Sequence, residues 1–502
     1  MTPRRIYLTV GLCAVVVYLG ALWNKFALDD LPIIVVNPLV THPSGLWRAF
    51  AAPYWTPELG GHMYRPLVIA GFALDALVDG TVWFHAVNVL WHAGAAVAVA
   101  ALARRWMMDN SGGLVAGLLF AVHPVHVEAV ANVVGRAELM AAVFAVLAVY
   151  AALSGKPVGW SAAALAFGLL SKENAAVAPA LVVWAWILGI DRPDRRRMVS
   201  LLVGWLLVGV AYTAVRTLVR QPFGGYMSIA PMFIGQSWLS VRLTAVAALA
   251  DVARLLVFPL TLRVDYSPNE RTVVTSPLDV RFAAGLFCAL AWGALLFLAW
   301  KRGRKLEAFG LGWIGAAFLP VANLLYPAGF YVAERTLYLP SAGLVLAASA
   351  ALSRLPRDRV RLVVAILGLL GGVRTALRVP AWRDDNAVTQ SILEDSPDSY
   401  GGPVRMAGVY LDRHEPAKAL AAARIAGGIA PYDPWVYATG TVAALALGDS
   451  HAADSLLARL ERFCSGACAA GYLRYEATMA RAHGYPGTAD SLLARAGRLQ
   501  AR

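Results

Sequence analysis

From residue 6 to residue 377 the sequence is a succession of apolar runs broken by short basic clusters, and only a membrane fold accommodates so many uncharged stretches in series. The clusters include "RRW" at 104–106, "RPDRRR" at 192–197 and "KRGRK" at 301–305. Each run reads as a helix, because a backbone in lipid has to satisfy its own N–H and C=O groups. Composition agrees, with 59% hydrophobic and 15% charged residues in 502. Beyond about residue 380 the charge density becomes that of a soluble helical segment. The expected fold is therefore all-α: a polytopic membrane region over 1–380 and a second region over 381–502. Much of the net charge of +13 lies in the basic clusters and reports topology, since short cytoplasmic loops collect Lys and Arg. A nucleic-acid partner is excluded, because no basic face is interleaved with aromatics.

Placing the basic loops inside gives a map of eleven spans with a cytoplasmic N-terminus. "MTPRR" and the 18 residues Ile6 to Trp23 lack a small-x-small cleavage site and read as a retained first span, about 6–24. A long external loop, 25–82, follows. Its "YRPLVIAGFALDALV" (64–78) is short for a crossing and is expected to be an interfacial helix. The other spans are 83–103, 112–124, 138–153, 158–171, 175–190, 199–219, 282–300, 309–325, 339–353 and 362–377. The run 243–262 is assigned to the external interface, because Asp251 and Arg254 would each cost about 2.5–3.5 kcal/mol at a bilayer centre. Eleven spans put the C-terminal region outside.

That region contains a repeat. "ADSLLAR" occurs at 453–459 and 489–495, and "AKALAAAR" at 417–424 lies one further 36-residue step back. Each copy follows a short turn after an apolar helix, the tetratricopeptide pattern of stacked helix–turn–helix units. Such units either stabilise one another or also offer a concave peptide-binding surface. Cys13 and Cys288 lie within apolar spans, whereas Cys464 and Cys468 in "CSGAC" fit either a disulfide in an oxidising compartment or two thiols on one helix face.

Polar residues at span ends are costly and therefore informative. On this map they gather on the outer side: Asp29 and Asp30, Arg65, His85, Asn88, His92, His123, His126, Glu128, Arg136, Glu138, Lys172, Glu173, Asp265, Tyr266, Glu334, Arg335 and Tyr338. His85, Asn88 and His92 share one helix face, where polar glue between helices competes with a functional role. "HPVHVE" (123–128) matches no specific ligand spacing, so no metal site is assigned and dependence on a divalent metal stays open. Arg335, Arg136 and Lys172 suit an anionic head group, and each has an acid within two positions, so internal ion pairs compete with phosphate binding.

In chain order, "FALDD", "YRPL", "FHAVNVLWH", "HPVHVEAVANVVGRAEL", "LLSKEN", "LTLRVDYSP", "ERTLYLPSAG" and "WRDDNAVTQSILEDSP" lead into the repeats. This series resembles the transmembrane and tetratricopeptide-repeat-containing O-mannosyltransferase family, within the GT-C class of membrane glycosyltransferases. The resemblance covers nearly the whole chain and departs from the family in a short tail of about three repeat units. It implies a glycosyltransferase whose donor is a polyprenyl-phosphate sugar and whose site faces away from the cytoplasm. It carries the catalytic acids onto Asp29 and Asp30, one as base, without deciding which. Arg335, with Glu334 in the same motif, is then the first candidate for the donor phosphate, ahead of Arg136, Lys172 and Arg65.

The expected reaction is inverting transfer of a sugar, mannose in the family, to Ser or Thr of exported proteins presented by the repeats. No cofactor is assigned beyond the lipid-linked donor. Three alternatives stay open: a lipid or envelope-glycan acceptor, a lipid-sugar flippase, and a scaffold. An Arg-rich, Lys-poor basic composition fits a bacterial inner or plasma membrane with a periplasmic tail.

Overall fold

Every apolar run of the sequence is helical, and among the described residues of the computed structural model there is no strand. The structure describes residues 2–55, 63–78, 80–107, 111–219, 229–257, 259–266, 268–464 and 466–500. Residues 56–62 of the expected external loop, and Asp79 at the end of its apolar stretch, lie outside that set. A helix stands at each of the eleven expected spans. Six are long and apolar enough to cross a membrane: Thr81–Trp106, Val133–Leu153, Arg195–Val219, Val280–Lys301, Glu334–Leu352 and Arg357–Trp382. A seventh is added if Ser111–Ala121 and Pro124–Ala131, bent by 51° at Pro124, are taken as one. The other expected spans correspond to shorter helices, Pro3–Val17, Val158–Ser171, Ala178–Ile187 and Lys305–Phe318.

Burial sorts the six into two groups. Val133–Leu153, Glu334–Leu352 and Thr81–Trp106 bury 78%, 72% and 61% of their most apolar stretch, and the other three bury 6–11%. The inner helices are rich in Ala, Gly and Ser, which lets backbones approach closely. Gly310 and Gly343 show the consequence: a Cβ on either would lie 2.4–2.5 Å from the other's carbonyl oxygen. The outer helices turn Leu, Phe and Trp outward over their length, a surface that water disfavours and lipid accepts. This is a membrane-embedded helical protein.

The polar groups divide between two ends. At one end the basic clusters cap helix termini: Arg105 donates to Asp191 and to Leu153 O (2.7 Å), Arg197 to Lys156 O (2.5 Å), and Arg354 pairs with Glu307 (2.6 Å). The nominated site residues lie at the other end, about 30 Å away along helices such as Thr81–Trp106.

Two peripheral segments are those expected at the external interface, outside the crossings. Pro66–Asp75, expected at the membrane interface, is instead packed into the protein with Val68, Ile69 and Phe72 buried against the loop segments before it. Its apolar residues cover all sides, so no polar face is left to meet head groups. Trp238–Val257 is not among the six crossing candidates, and its Asp251 faces Arg271 (3.0 Å) and Tyr331 (3.2 Å).

From Gly401 on the helices have a hydrophobic core of their own, whereas Val388 and Ile392 of Asp385–Asp395 pack in the core of the membrane region. Gly401–Asp412 pairs with Pro416–Ile429, Pro434–Ala446 with Ser450–Phe463, and Gly466–Ala482 with Pro486–Gln500. The repeated heptapeptides fall on the second helix of each pair. The turns before them contain His414, Gly448 and Gly484 at positive φ, which closes each hairpin tightly. Cys464 and Cys468 are joined by a disulfide where the second pair passes into the third.

Candidate active site

After Pro3–Val17 and a short 3-10 turn, Leu19–Trp23, the chain leaves the helical core as "NKFALDDLPIIVVNP". The two adjacent acids then part. Asp30 is fully buried, and its carboxylate accepts from Ala27 N (3.1 Å) and Val134 N (2.8 Å), tying the loop to "NVVGRAEL". Burial pushes its pKa up to about 7 against those hydrogen bonds, with the charge of Asp29 a smaller contribution in the same direction. Asp29 points the other way, into a cavity of about 580 Å³, and its carboxylate makes no hydrogen bond or ion pair among the described residues.

The cavity has two walls. One is the acidic end of the membrane helices, with Asp29, Glu128, Asp265, Tyr266 and Arg335. The other is the repeat region, with Asp385, Arg405, Trp435, Tyr475, Glu476 and His483. Arg335 lies within electrostatic reach of Asp29. Glu128 fixes it twice, accepting from its backbone N (2.8 Å) and pairing with its guanidinium. About a third of the Arg335 side chain remains exposed, leaving donors free to face the cavity.

Glu334, next in sequence, turns away. Its carboxylate accepts from Arg263 N (2.6 Å) and Tyr266 Oη (2.9 Å), so it anchors "LTLRVDY" beneath the cavity and is not positioned as a phosphate ligand. Asp265 receives Ser399 Oγ (2.5 Å) and its carbonyl receives Ser396 Oγ (2.7 Å), docking "EDSPDSYGG" against the membrane region.

The other cations nominated for phosphate sit outside the cavity lining. Arg136 is 1% exposed and fully engaged by Asp75, Asn88 Oδ1 (2.8 Å) and Phe84 O (2.9 Å). A donor phosphate cannot reach it without breaking that set. Lys172 pairs with Glu138, and Arg65 pairs with Glu173 (3.3 Å) while stacking over Tyr54. These pairs form a layer behind the cavity.

Three of the four nominated histidines bond across helices. His92 meets Tyr338 Oη (2.8 Å) and Ala121 O (3.0 Å), His126 meets Ser341 Oγ (2.7 Å), and His123 meets Leu256 O (2.9 Å). Asn88 donates to the carbonyls of Val130, Asn132 and Val133, and His85 is buried one turn before it. "HPVHVE" is thus a turn in which one ring nitrogen of each histidine bonds to a neighbouring helix. Among the described residues no group of three or more His, Cys, Asp or Glu side chains is arranged to hold a metal ion.

Sequence reasoning missed Asp75, Tyr54 and the whole repeat-side wall. Asp385 lay within the quoted "WRDDNAV" but was not nominated, because its role depends on a contact with Leu28, 357 positions away. On the same wall Glu476 is buried, accepts from Thr439 Oγ1 (2.9 Å) and has its pKa pushed up to about 7 by desolvation.

The chain is 27% identical over 459 residues to human protein O-mannosyl-transferase TMTC4, covering 78% of this chain and 62% of that protein. It is 28% identical over 381 residues to human protein O-mannosyl-transferase TMTC3, covering 68% and 41%. Protein O-mannosyl-transferase Tmtc2 of Drosophila melanogaster is 33% identical over 317 residues, covering 58% and 33%. The chain spans about half the length of the curated relatives it matches. No family model matches it, and no solved structure does. By sequence, then, the chain is a relative of the TMTC protein O-mannosyl-transferases, the group that its motifs resemble.

Proposed function

We propose that the chain is a polyprenyl-phosphate-sugar-dependent protein O-mannosyltransferase acting on the extracytoplasmic face of its membrane. The observation that carries this reading is one cavity lined by both Asp29 and Arg335, a carboxylate without a partner among the described residues facing a firmly held guanidinium. Asp29 takes the proton of a Ser or Thr hydroxyl as its oxygen attacks the anomeric carbon. The bond from that carbon to the phosphate oxygen breaks on the opposite face, its electron pair leaves with the polyprenyl phosphate, and Arg335 balances the charge. A single displacement of this kind inverts the anomeric centre. The names of the relatives support mannose and a protein acceptor.

In this reading residues 1–380 are a GT-C-like catalytic region of eleven spans, with the basic end in the cytoplasm. Residues 381–502 are a tetratricopeptide-type solenoid on the outer side, and the Cys464–Cys468 disulfide suits an oxidising compartment there. The acceptor enters between the two walls. The test is incubation of the purified protein with a panel of polyprenyl-phosphate sugars and an exported Ser/Thr-containing polypeptide. Release of label from protein by β-elimination, with inverted configuration by NMR, is the expected outcome. Label recovered only in lipid or glycan would reject the protein acceptor.

A further inference from the structure

Leu28, immediately before the cavity carboxylate, has φ of +54°, a region that a branched side chain rarely adopts. Something has to hold it there, and the contacts come from the repeat region. Leu28 N–H donates to Asp385 Oδ1 at 2.9 Å, and three residues earlier Lys25 N–H donates to Arg383 O at 2.7 Å. Asp385 opens the helix Asp385–Asp395, whose N-terminus is fixed by Asp384 capping Ala387 N at 2.8 Å. On the other side of Asp29, Asp30 is locked to Ala27 and Val134. The dipeptide Leu28–Asp29 is therefore clamped from both sides, and Asp29 is left facing the cavity that Asp385 also lines.

We propose that Asp385 is a positioning residue for Asp29: by accepting the Leu28 N–H it holds the left-handed turn that aims Asp29 into the cavity. The first helix after the membrane region is thereby part of the catalytic centre, in addition to any role in holding the acceptor. This rests on the reading of Asp29 as the base. It also gives a physical reason for "WRDDNAV" to accompany "FALDD" in one chain, since the second motif supplies the acceptor atom that the turn in the first requires.

The test uses the full-length protein with D385A, D385N and the double variant L28G/D385A, and reads both hydrogen exchange of peptides covering residues 24–32 and the kinetics of transfer. In D385A exchange over 24–32 should accelerate, and kcat should fall about a hundredfold with little change in the donor KM, as expected for a displaced catalytic group. D385N keeps an accepting oxygen and should recover both readouts. L28G in the D385A background should regain at least about tenfold in kcat, because glycine takes the left-handed conformation without a Cβ penalty. Unchanged exchange over 24–32 in D385A overturns the clamp. A fall in D385N as deep as in D385A overturns it too, since charge and not the accepting oxygen would then matter. Exchange that responds while transfer proves independent of Asp29 overturns the base assignment, and with it the positioning role.

Discussion

Asp30 combines full burial with two backbone donors, and its pKa near 7 makes it a measurable contributor to stability. An acid whose pKa is higher folded than unfolded binds more protons in the native state, so its contribution is complete below about pH 4 and is lost as pH rises through about 7. Thermal unfolding in detergent should therefore show stability declining between pH 4 and 7 in the wild type, with that slope reduced in Asp30→Asn. A slope untouched by the substitution would place the titration elsewhere. At Arg335 the expected kinetic effect is larger. Arg335→Ala should lower kcat about 10²–10³-fold, as for loss of one positioned electrostatic donor. Glu128→Gln keeps an acceptor for the backbone N but loosens the guanidinium, and should cost about tenfold. Equal losses in the two variants would mean that Glu128 does more than hold Arg335.

The elements that carry the site are joined by close approaches. A Cβ on Gly135 would lie 2.2 Å from Ala129 O inside the buried turn, and one on Gly401 would lie 2.1 Å from Asp265 Oδ2 at the junction with the repeats. Gly135→Ala and Gly401→Ala should each cost about 1–3 kcal/mol, the range for overpacking, measured as a shift in the unfolding midpoint. Gly401→Ala should also reduce transfer, because it pushes the repeat-side wall off Asp265. Helix positions were legible in the sequence because apolar runs and their end signals are local. Ion-pair partners were not. Arg335, Arg136 and Lys172 each have an acid within two positions, yet Arg335 pairs with Glu128, Arg136 with Asp75 and Lys172 with Glu138, while Arg65 pairs with Glu173. Side chains one or two positions apart point to different sides, so the partners come from other elements. The division of labour between Asp29 and Asp30 was hidden for the same reason, since it is set by Leu28 and by Val134 more than a hundred positions away.

Over the whole molecule, the polar groups divide between a basic end and an end where Asp29 and Arg335 meet the repeats. An extracytoplasmic repeat region has an independent consequence: in intact cells Cys464 and Cys468 should resist alkylation until a reductant is added. Ready alkylation without reductant would put that region in a reducing compartment and reverse the proposed orientation. The most direct test of the central claim is transfer of radiolabelled mannose from polyprenyl-phosphate mannose to an exported polypeptide, comparing the wild type with Asp29→Ala. Removing a general base typically costs 10²–10⁴-fold, so labelled protein should form with the wild type and fall at least about a hundredfold in a folded, donor-binding Asp29→Ala. Equal labelling by the two proteins would contradict Asp29 as the catalytic base.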